Sequence, residues 1–262
     1  MSLTLTLLGT GTSAGVPMIA CTCPVCTSTD PRDRRDRSAA MFEWNDKRIL
    51  IDTSPDLRWQ LIRHHVMRID GVLYTHNHAD HVFGIDDLRR FNAVQKQPID
   101  LFGEPSVIDW LRRTYPYIFE PHKNVNQSFV PTLIPQPIEP GEPFTVAGRS
   151  FLPLRLMHGR LPILGFRAAD VAYCTDVSSI PPQTYPLLAN LDILVIDGLR
   201  HRHHPTHLTI RQAIQIIEEL KPKRAYLTHI AHDIKHSEVD PTLPENIHLA
   251  YDGLTLESDD PA

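Results

Sequence analysis

Four side chains that bind metals well, His76, His78, Asp80 and His81, stand within six residues of one another, directly behind the apolar stretch Gly71-Val72-Leu73-Tyr74-Thr75. Neutral imidazole and carboxylate suit zinc, manganese or iron(II). A strand end running into a tight loop lets alternate residues point to one side, so His76 and His78 can reach one ion while Asp80 and His81 turn toward a second. Buried without a metal, a group of this polarity would be costly. His158, Asp176 and His229 each close a later β-like run. Taken singly, such a residue is more often a satisfied loop residue.

Cys21-Thr22-Cys23-Pro24-Val25-Cys26 puts three thiols into one tight turn. They are too crowded for a disulfide framework and well placed for three corners of a tetrahedral zinc site. No fourth ligand lies nearby in the sequence. Cys174 could compete for that place, but it sits in the apolar run before Asp176 and reads better as a buried core thiol.

His201, Arg202, His203, His204 and His207 lie between a β-like run and a helical pattern. The first four read as exposed loop residues. His207 directly precedes the helix, where one reading is a polar side chain that helps cap its start. The run Asp30-Pro31-Arg32-Asp33-Arg34-Arg35-Asp36-Arg37 alternates in sign and reads as a solvated face or an ion-pair lattice without chemistry.

The elements that must carry these residues are mostly short strands. β-like runs fall at residues 3–8, 48–52, 71–75, 99–102, 151–156, 165–168, 171–175, 193–197 and 225–228, separated by turn residues. The clearest helix spans 208–220, where Leu208, Ala213, Ile214, Ile216, Ile217 and Leu220 share one broad face before Lys221 and Pro222 stop it. Weaker helical patterns cover 56–65 and 105–115. Strands that intermix with helices favour layered sheets with helices outside. One domain over residues 1–262 is expected. Its compositional break is 115–143, with Pro116, Pro121, Pro131, Pro135, Pro137, Pro140 and Pro143. Prolines at that density resist helix and central strand alike, leaving an ordered surface excursion, a lid, or a homodimer contact as readings.

An apolar fraction of 42% in 262 residues permits a sizeable core. The formal net charge of -5 gives no electrostatic reason to expect binding to nucleic acid or to an anionic membrane. No apolar run approaches a membrane span, and residues 1–9 read as a strand without the basic start of a signal peptide. A cytoplasmic protein is the expectation.

The pattern HxHxDH behind a strand resembles the signature of the metallo-β-lactamase superfamily, and His158, Asp176 and His229 follow in that family's order. The resemblance implies an αββα sandwich of two mixed sheets with helices outside. It implies that His76, His78 and His158 bind one divalent ion, zinc or manganese, that Asp80, His81 and His229 bind a second, and that Asp176 bridges them. Leu8-Gly9-Thr10-Gly11-Thr12-Ser13-Ala14-Gly15-Val16-Pro17 is similar to the opening turn of the tRNase Z and cyclic-phosphodiesterase branch. Its glycines miss the spacing of a nucleotide fingerprint. The cysteine knuckle resembles that of phosphoribosyl cyclic phosphodiesterases, which implies His232, three residues after His229, as the fourth ligand of a structural zinc. The same resemblance implies that His207 contacts a phosphate oxygen or the leaving group.

A site with two divalent ions and two carboxylates suits an anionic phosphodiester, and two metals can generate hydroxide and brace phosphorus during in-line attack. Phosphodiester hydrolysis is therefore the expected activity, and the resemblance to phosphoribosyl cyclic phosphodiesterases implies a small, ribosyl cyclic phosphodiester as the substrate, with Asp80 and His207 as catalytic residues. The alternatives are a tRNA 3′-processing endonuclease, which would want a basic arm absent here, a lactonase or thioesterase, and an accessory protein resembling the pyrroloquinoline quinone biosynthesis B protein.

Overall fold

The computed structural model describes residues 2–258, so Met1 lies outside the described residues. Alternation of leucine with threonine makes the first strand, β1 (Leu3–Gly9), which buries Leu3, Leu5 and Leu7 on one face. It joins a sheet with β2 (Ala39–Trp44), β3 (Lys47–Ile51), β4 (Gly71–Leu73), β5 (Ile99–Gly103) and β6 (Leu133–Pro137). The second sheet contains β7 (Phe144–Val146), β8 (Arg149–His158), β9 (Leu161–Ala168), β10 (Val171–Cys174), β11 (Ile193–Asp197), β12 (Arg224–Thr228) and β13 (Ile247–Leu249). The last strand, β14 (Thr255–Ser258), returns to the first sheet, so the two orders are β14-β1-β2-β3-β4-β5-β6 and β13-β12-β11-β10-β9-β8-β7. In each sheet one half is parallel, β3 through β6 and β10 through β13, and the other antiparallel.

Helices α1 (Leu57–Arg63), α2 (Ala79–Val82), α3 (Arg89–Gln95), α4 (Pro105–Thr114) and α5 (Pro116–Phe119) follow strands of the first sheet, and α6 (Ile210–Leu220) and α7 (His236–Val239) those of the second. Leu5, Phe42, Ile51, Phe151, Phe166 and Val195 meet between the sheets. Leu50, Val72 and Leu101 face Leu57, Leu61 and Leu111 outside the first sheet. Outside the second, Leu194, Ile196 and Leu227 face Ile210, Ala213 and Ile217 of α6. The layers are those of the αββα sandwich that the sequence led us to expect.

Several sequence expectations are refined by the structure. The long helix begins at Ile210, not at 208, because Thr209 caps it: its hydroxyl accepts from the Gln212 N–H while the Gln212 side chain accepts from the Thr209 N–H. His207 therefore plays no part in that cap. The run at 71–75 pairs only as far as Leu73, leaving Tyr74 and Thr75 to lead into the histidines.

Within 115–143, Pro116 starts α5 and Pro135 and Pro137 sit in β6, an edge strand paired only with β5, where missing N–H donors do no harm. The segment is an ordered excursion. The Tyr117 hydroxyl ties it to the first sheet's helical layer by donating to Asp86 at 3.0 Å.

Of the two readings of the run 30–37, the ion-pair lattice holds, with Arg32 on Asp30 at 2.8 Å and Arg37 on Asp56 at 2.9 Å, but it is not all at the surface. Asp33 and Arg35 form a wholly buried ion pair at 3.1 Å. Arg35 also donates to the carbonyls of Ala231 and Ile234, while Asp33 accepts from the His236 N–H, so the pair clamps the N-terminal loop onto the chain behind His229.

Candidate metal centre

Parallel strands of both sheets end at the same rim, where α/β folds commonly build their sites. Asp52 follows β3 and His76 lies just beyond β4; Asp176 lies just beyond β10, Asp197 closes β11 and His229 follows β12. His158 is the last residue of β8. Asp52, Asp176 and His229 all take left-handed backbone, with φ of 63°, 59° and 58°. A non-glycine residue there is strained, and such strain persists where the surrounding fold over-determines it.

The structure brings all seven expected ligands together in two groups. His76, His78 and His158 offer ring nitrogens within 4.8 Å of one another, and so do the ligand atoms of Asp80, His81, Asp176 and His229. Asp176 also stands within that distance of His158, which links the groups. Its two oxygens lie 3.4 Å from His81 Nε2 and 3.2 Å from His229 Nε2.

These atoms are close without being hydrogen-bonded. Nε2 of His76, His81 and His229 is buried and has no hydrogen-bond partner among the described residues. Buried polar atoms are otherwise paired, so the residues present fit a bound cation. The Nδ1 atoms of His76, His81 and His158 are occupied in a way that leaves Nε2 for the metal, whereas neither ring nitrogen of His229 has a partner among the described residues. Thr75 Oγ1 donates to Asp52 Oδ2 and therefore accepts from His76 Nδ1 at 2.9 Å. His81 Nδ1 donates to Asp52 at 2.7 Å, and His158 Nδ1 donates to the Thr206 carbonyl at 2.8 Å. Such outer partners orient metal-binding imidazoles.

Protonation suits the same purpose. Burial pushes His76, His158 and His229 below the usual imidazole range, keeping them neutral. Burial opposes charge on Asp176 and Asp80 too, but His229 and His81 beside Asp176, and His81 beside Asp80, hold both carboxylates below their usual range. Burial likewise opposes charge on His81, yet the carboxylates of Asp176, Asp52 and Asp80 together keep its imidazole well above the usual range. A cation placed there takes over from that proton.

His207 stands against this cluster. Its ring stacks on His229 at 4.5 Å and meets His158 edge-on at 4.7 Å. Its Nδ1 lies 2.6 Å from Asp197 Oδ2, and burial pushes that carboxyl up and the imidazole down. Asp52 and Asp197 carry no role in the sequence reading. The signal for both is the one that marks Asp176, an aspartate closing an apolar strand.

Cys21, Cys23, Cys26 and His232 form a second, half-buried cluster. The three sulfurs lie 3.4, 3.4 and 3.8 Å from His232 Nδ1, which suits a tetrahedral zinc. The Cys26 N–H and the His232 ring favour the Cys23 thiolate, lowering it to about 6. Cys174 is apart from both clusters, buried in the second sheet with its thiol pushed up to about 12 by desolvation. The glycine-rich opening loop serves packing: a Cβ on Gly9 would fall 2.0 Å from the Arg37 carbonyl, and Thr10 O accepts from the N–H of Ile230, next to His229.

A family model described as "Beta-lactamase superfamily domain" matches residues 47–230. A crystal structure described as a new diphosphatase from the PhnP family is 41% identical and superposes with a TM-score of 0.91 over 98% of each chain. An octanoyltransferase of Porphyromonas gingivalis is 41% identical over 95% of this chain, but the chain spans only 50% of that relative's length. The zinc-bound PqqB of Methylobacterium extorquens shares the fold, with a TM-score of 0.78 at 20% identity over 97% of this chain and 99% of that one. Among the described residues, no helix is long and apolar enough to cross a membrane.

Proposed function

The chain belongs to the PhnP family of the metallo-β-lactamase superfamily, and from that premise we propose that this metal-dependent hydrolase is a dinuclear phosphodiesterase that opens a small, ribosyl cyclic phosphodiester. The observation that carries the reading is Asp176, whose carboxylate oxygens lie 3.4 and 3.2 Å from the unpartnered Nε2 atoms of His81 and His229 and within 4.8 Å of a ring nitrogen of His158 from the other group. His76, His78 and His158 would hold one divalent ion, Asp80, His81 and His229 the other, and Asp176 both. Zinc or manganese bound there supplies hydroxide at neutral pH and positive charge for the phosphoryl oxygens.

The chain's own residues do the rest. Asp52 and Thr206 orient imidazoles through their outer nitrogens. His207, braced by Asp197, is free to hand a proton to the departing oxygen. Cys21, Cys23, Cys26 and His232 would hold a structural zinc, which accords with a cytoplasmic location where thiols stay reduced. The partner is a small anion rather than nucleic acid, given a net charge of -5 and no basic arm.

A second reading, cleavage of a diphosphate P–O–P linkage, is favoured by the 41%-identical PhnP-family diphosphatase. The same residues would serve it. Acyl transfer finds no support at the site. Three of the four cysteines crowd into the knuckle, and the Cys174 thiol, at about 12, is no nucleophile.

The test is metal analysis of the purified protein followed by product analysis on ribosyl cyclic phosphates, nucleoside diphosphates, bis-p-nitrophenyl phosphate and lactones. Ring opening to a monoester with two ions at the centre supports the first reading. Release of orthophosphate from diphosphates alone selects the second, and lactone turnover alone sinks both.

A further inference from the structure

Phe83 is 52% exposed, two residues beyond His81 and at the end of the short helix α2. Single exposed apolar residues are ordinary on a protein surface. What sets Phe83 apart is the turn it belongs to, because that turn carries two of the proposed metal ligands, Asp80 and His81.

The Phe83 N–H donates to the Ala79 carbonyl at 3.1 Å, so Phe83 stands one helical turn beyond Ala79. At about 100° per residue around the helix axis, it falls between Ala79 and Asp80. Residues three apart on a helix are neighbours, with Cβ atoms about 5–6 Å apart, and a helical side chain leans back over the turn that precedes it. Phe83 therefore covers the strip between exposed Ala79 and Asp80, whose carboxylate lies 3.3 Å from His81 Nε2 in the second ligand group. His78, also exposed, opens the same strip, while His81 and Val82 on the far side of the helix are wholly buried. The ring thus stands at the lip of the centre, outside the ligands.

It is also held there. Thr53 N–H donates to the His81 carbonyl at 2.7 Å and Thr53 O accepts from Gly84 N–H at 2.9 Å, so one residue of the first sheet's rim ties the backbone on both sides of Phe83. A Cβ on Gly84 would fall 2.2 Å from the Ser54 carbonyl, a measure of how closely the chain is pressed at that point. Trp110 of α4 packs its ring nearly parallel to that of Phe83, at 17° with centroids 6.5 Å apart. The Tyr115 hydroxyl donates to the Val82 carbonyl at 3.5 Å. An aromatic ring that is backed, preset and open to solvent loses little freedom when a second planar ring settles on it.

We propose that Phe83, backed by Trp110, is a specificity-determining residue on which the heterocyclic base of a mononucleotide stacks while its phosphate reaches the metal centre. The site then selects phosphoesters that carry a base over matched sugar phosphates that lack one. This deepens the reading of the centre as a phosphoester hydrolase and rests on it. The stacked ring lies outside the reacting bond, so Phe83 governs affinity and leaves the chemical step to the centre.

The test is calorimetric titration of the metal-loaded protein with adenosine 5′-monophosphate and with ribose 5-phosphate, in wild type, Phe83→Ala, Phe83→Leu and Phe83→Tyr. Stacking of a base on an aromatic side chain corresponds to about 5- to 100-fold in affinity, so wild type should prefer the nucleotide by that factor. Phe83→Ala should erase the preference, Phe83→Leu, which keeps apolar bulk without a π face, should erase most of it, and Phe83→Tyr should keep it. Ribose 5-phosphate affinity and metal content should match wild type in every variant. Equal affinities in wild type, a preference that survives Phe83→Ala, or a Phe83→Leu variant as selective as wild type overturns the proposal. Hydrolysis of ribosyl cyclic phosphates and nucleoside diphosphates, assayed in parallel, separates the two ideas: turnover without a base preference condemns the platform alone, and a Phe83-dependent preference without turnover condemns the reaction alone.

Discussion

The imidazole of His81 donates through Nδ1 to Asp52 Oδ2 at 2.7 Å, and neither side chain is more than 1% exposed. That bond leaves His81 Nε2 as the only nitrogen for a metal, and it binds a residue without metal contact into the centre. Asp52→Asn keeps the volume and removes the charge that makes the imidazole a good ligand. Loss of an outer partner of this kind typically lowers metal affinity or activity about 10- to 100-fold. Competition with a chelator, read by metal analysis, should show that drop with the circular dichroism unchanged. Wild-type affinity would remove Asp52 from the centre.

Asp80 and His81 are proposed direct ligands, so their loss should exceed the about 100-fold expected of an outer partner. Asp80→Ala and His81→Ala should abolish turnover with the fold largely retained, because both sit on the short helix α2 at the rim rather than in the apolar layers. Wild-type rates in either variant, purified free of contaminating hydrolase, would sink the dinuclear mechanism.

Strands such as Ile193 to Asp197 are legible in the sequence because they are buried on both faces and so are apolar up to the closing aspartate. Short pairs such as β7, β13 and β14 are set by their partners, not by their own three or four residues. Ala39–Trp44 carries alanine, methionine and glutamate, a helical composition overridden by its place between β1 and β3. The ligands stand out because histidines cluster at strand ends. Asp52 and Asp197 do not, since an aspartate behind a strand looks like an ordinary turn. Arg35 is the hardest case, because only the fold brings the Ala231 and Ile234 carbonyls to a charge that the sequence places among solvated neighbours.

The knuckle should hold its metal independently of the catalytic cluster, since no residue is common to the two groups. Cys23→Ser is expected to remove one zinc equivalent and lower the melting temperature, because metal-binding energy at a structural site is folding energy. The catalytic equivalents should remain. An unchanged metal count would mean that these cysteines are not ligands.

Asp252 offers a pH test outside both ligand groups. Burial pushes its carboxyl up to about 7, against the stabilising donation from Asp36 N–H and from the N–H and hydroxyl of Thr10. An unfolded aspartate titrates near about 3.9, so between about pH 4 and 7 the native state holds a proton that the unfolded state has lost. Stability from this group is therefore greatest below about pH 4 and falls as pH rises to about 7, by up to about 4 kcal/mol. Asp36, pushed in the same direction by burial, leaves a smaller dependence of its own. Urea unfolding from pH 5 to 8 should show Asp252→Asn gaining on wild type as pH rises. Parallel curves would place the carboxyl back in the ordinary range.

His207 separates proton donation from simple phosphate binding. Asp197 holds one ring nitrogen at 2.6 Å, and the ring packs against His158 and His229 beside the proposed ions. If the imidazole protonates the departing oxygen, His207→Ala should slow diesters with poor leaving groups by about 10²- to 10⁴-fold, the usual worth of general acid assistance. Esters of p-nitrophenol need little such help and should suffer far less. Metal content should stay at the wild-type level, because His207 is not one of the seven proposed ligands. Loss of metal in the variant would move His207 into the ligand set, an outcome its ring nitrogens could accommodate, since they lie within 4.8 Å of ligand atoms on His158 and Asp176 and on Asp197 and His229. Equal slowing of all diesters would make His207 a phosphate-binding residue. Unimpaired diester hydrolysis with impaired lactone hydrolysis would overturn the phosphodiesterase reading itself.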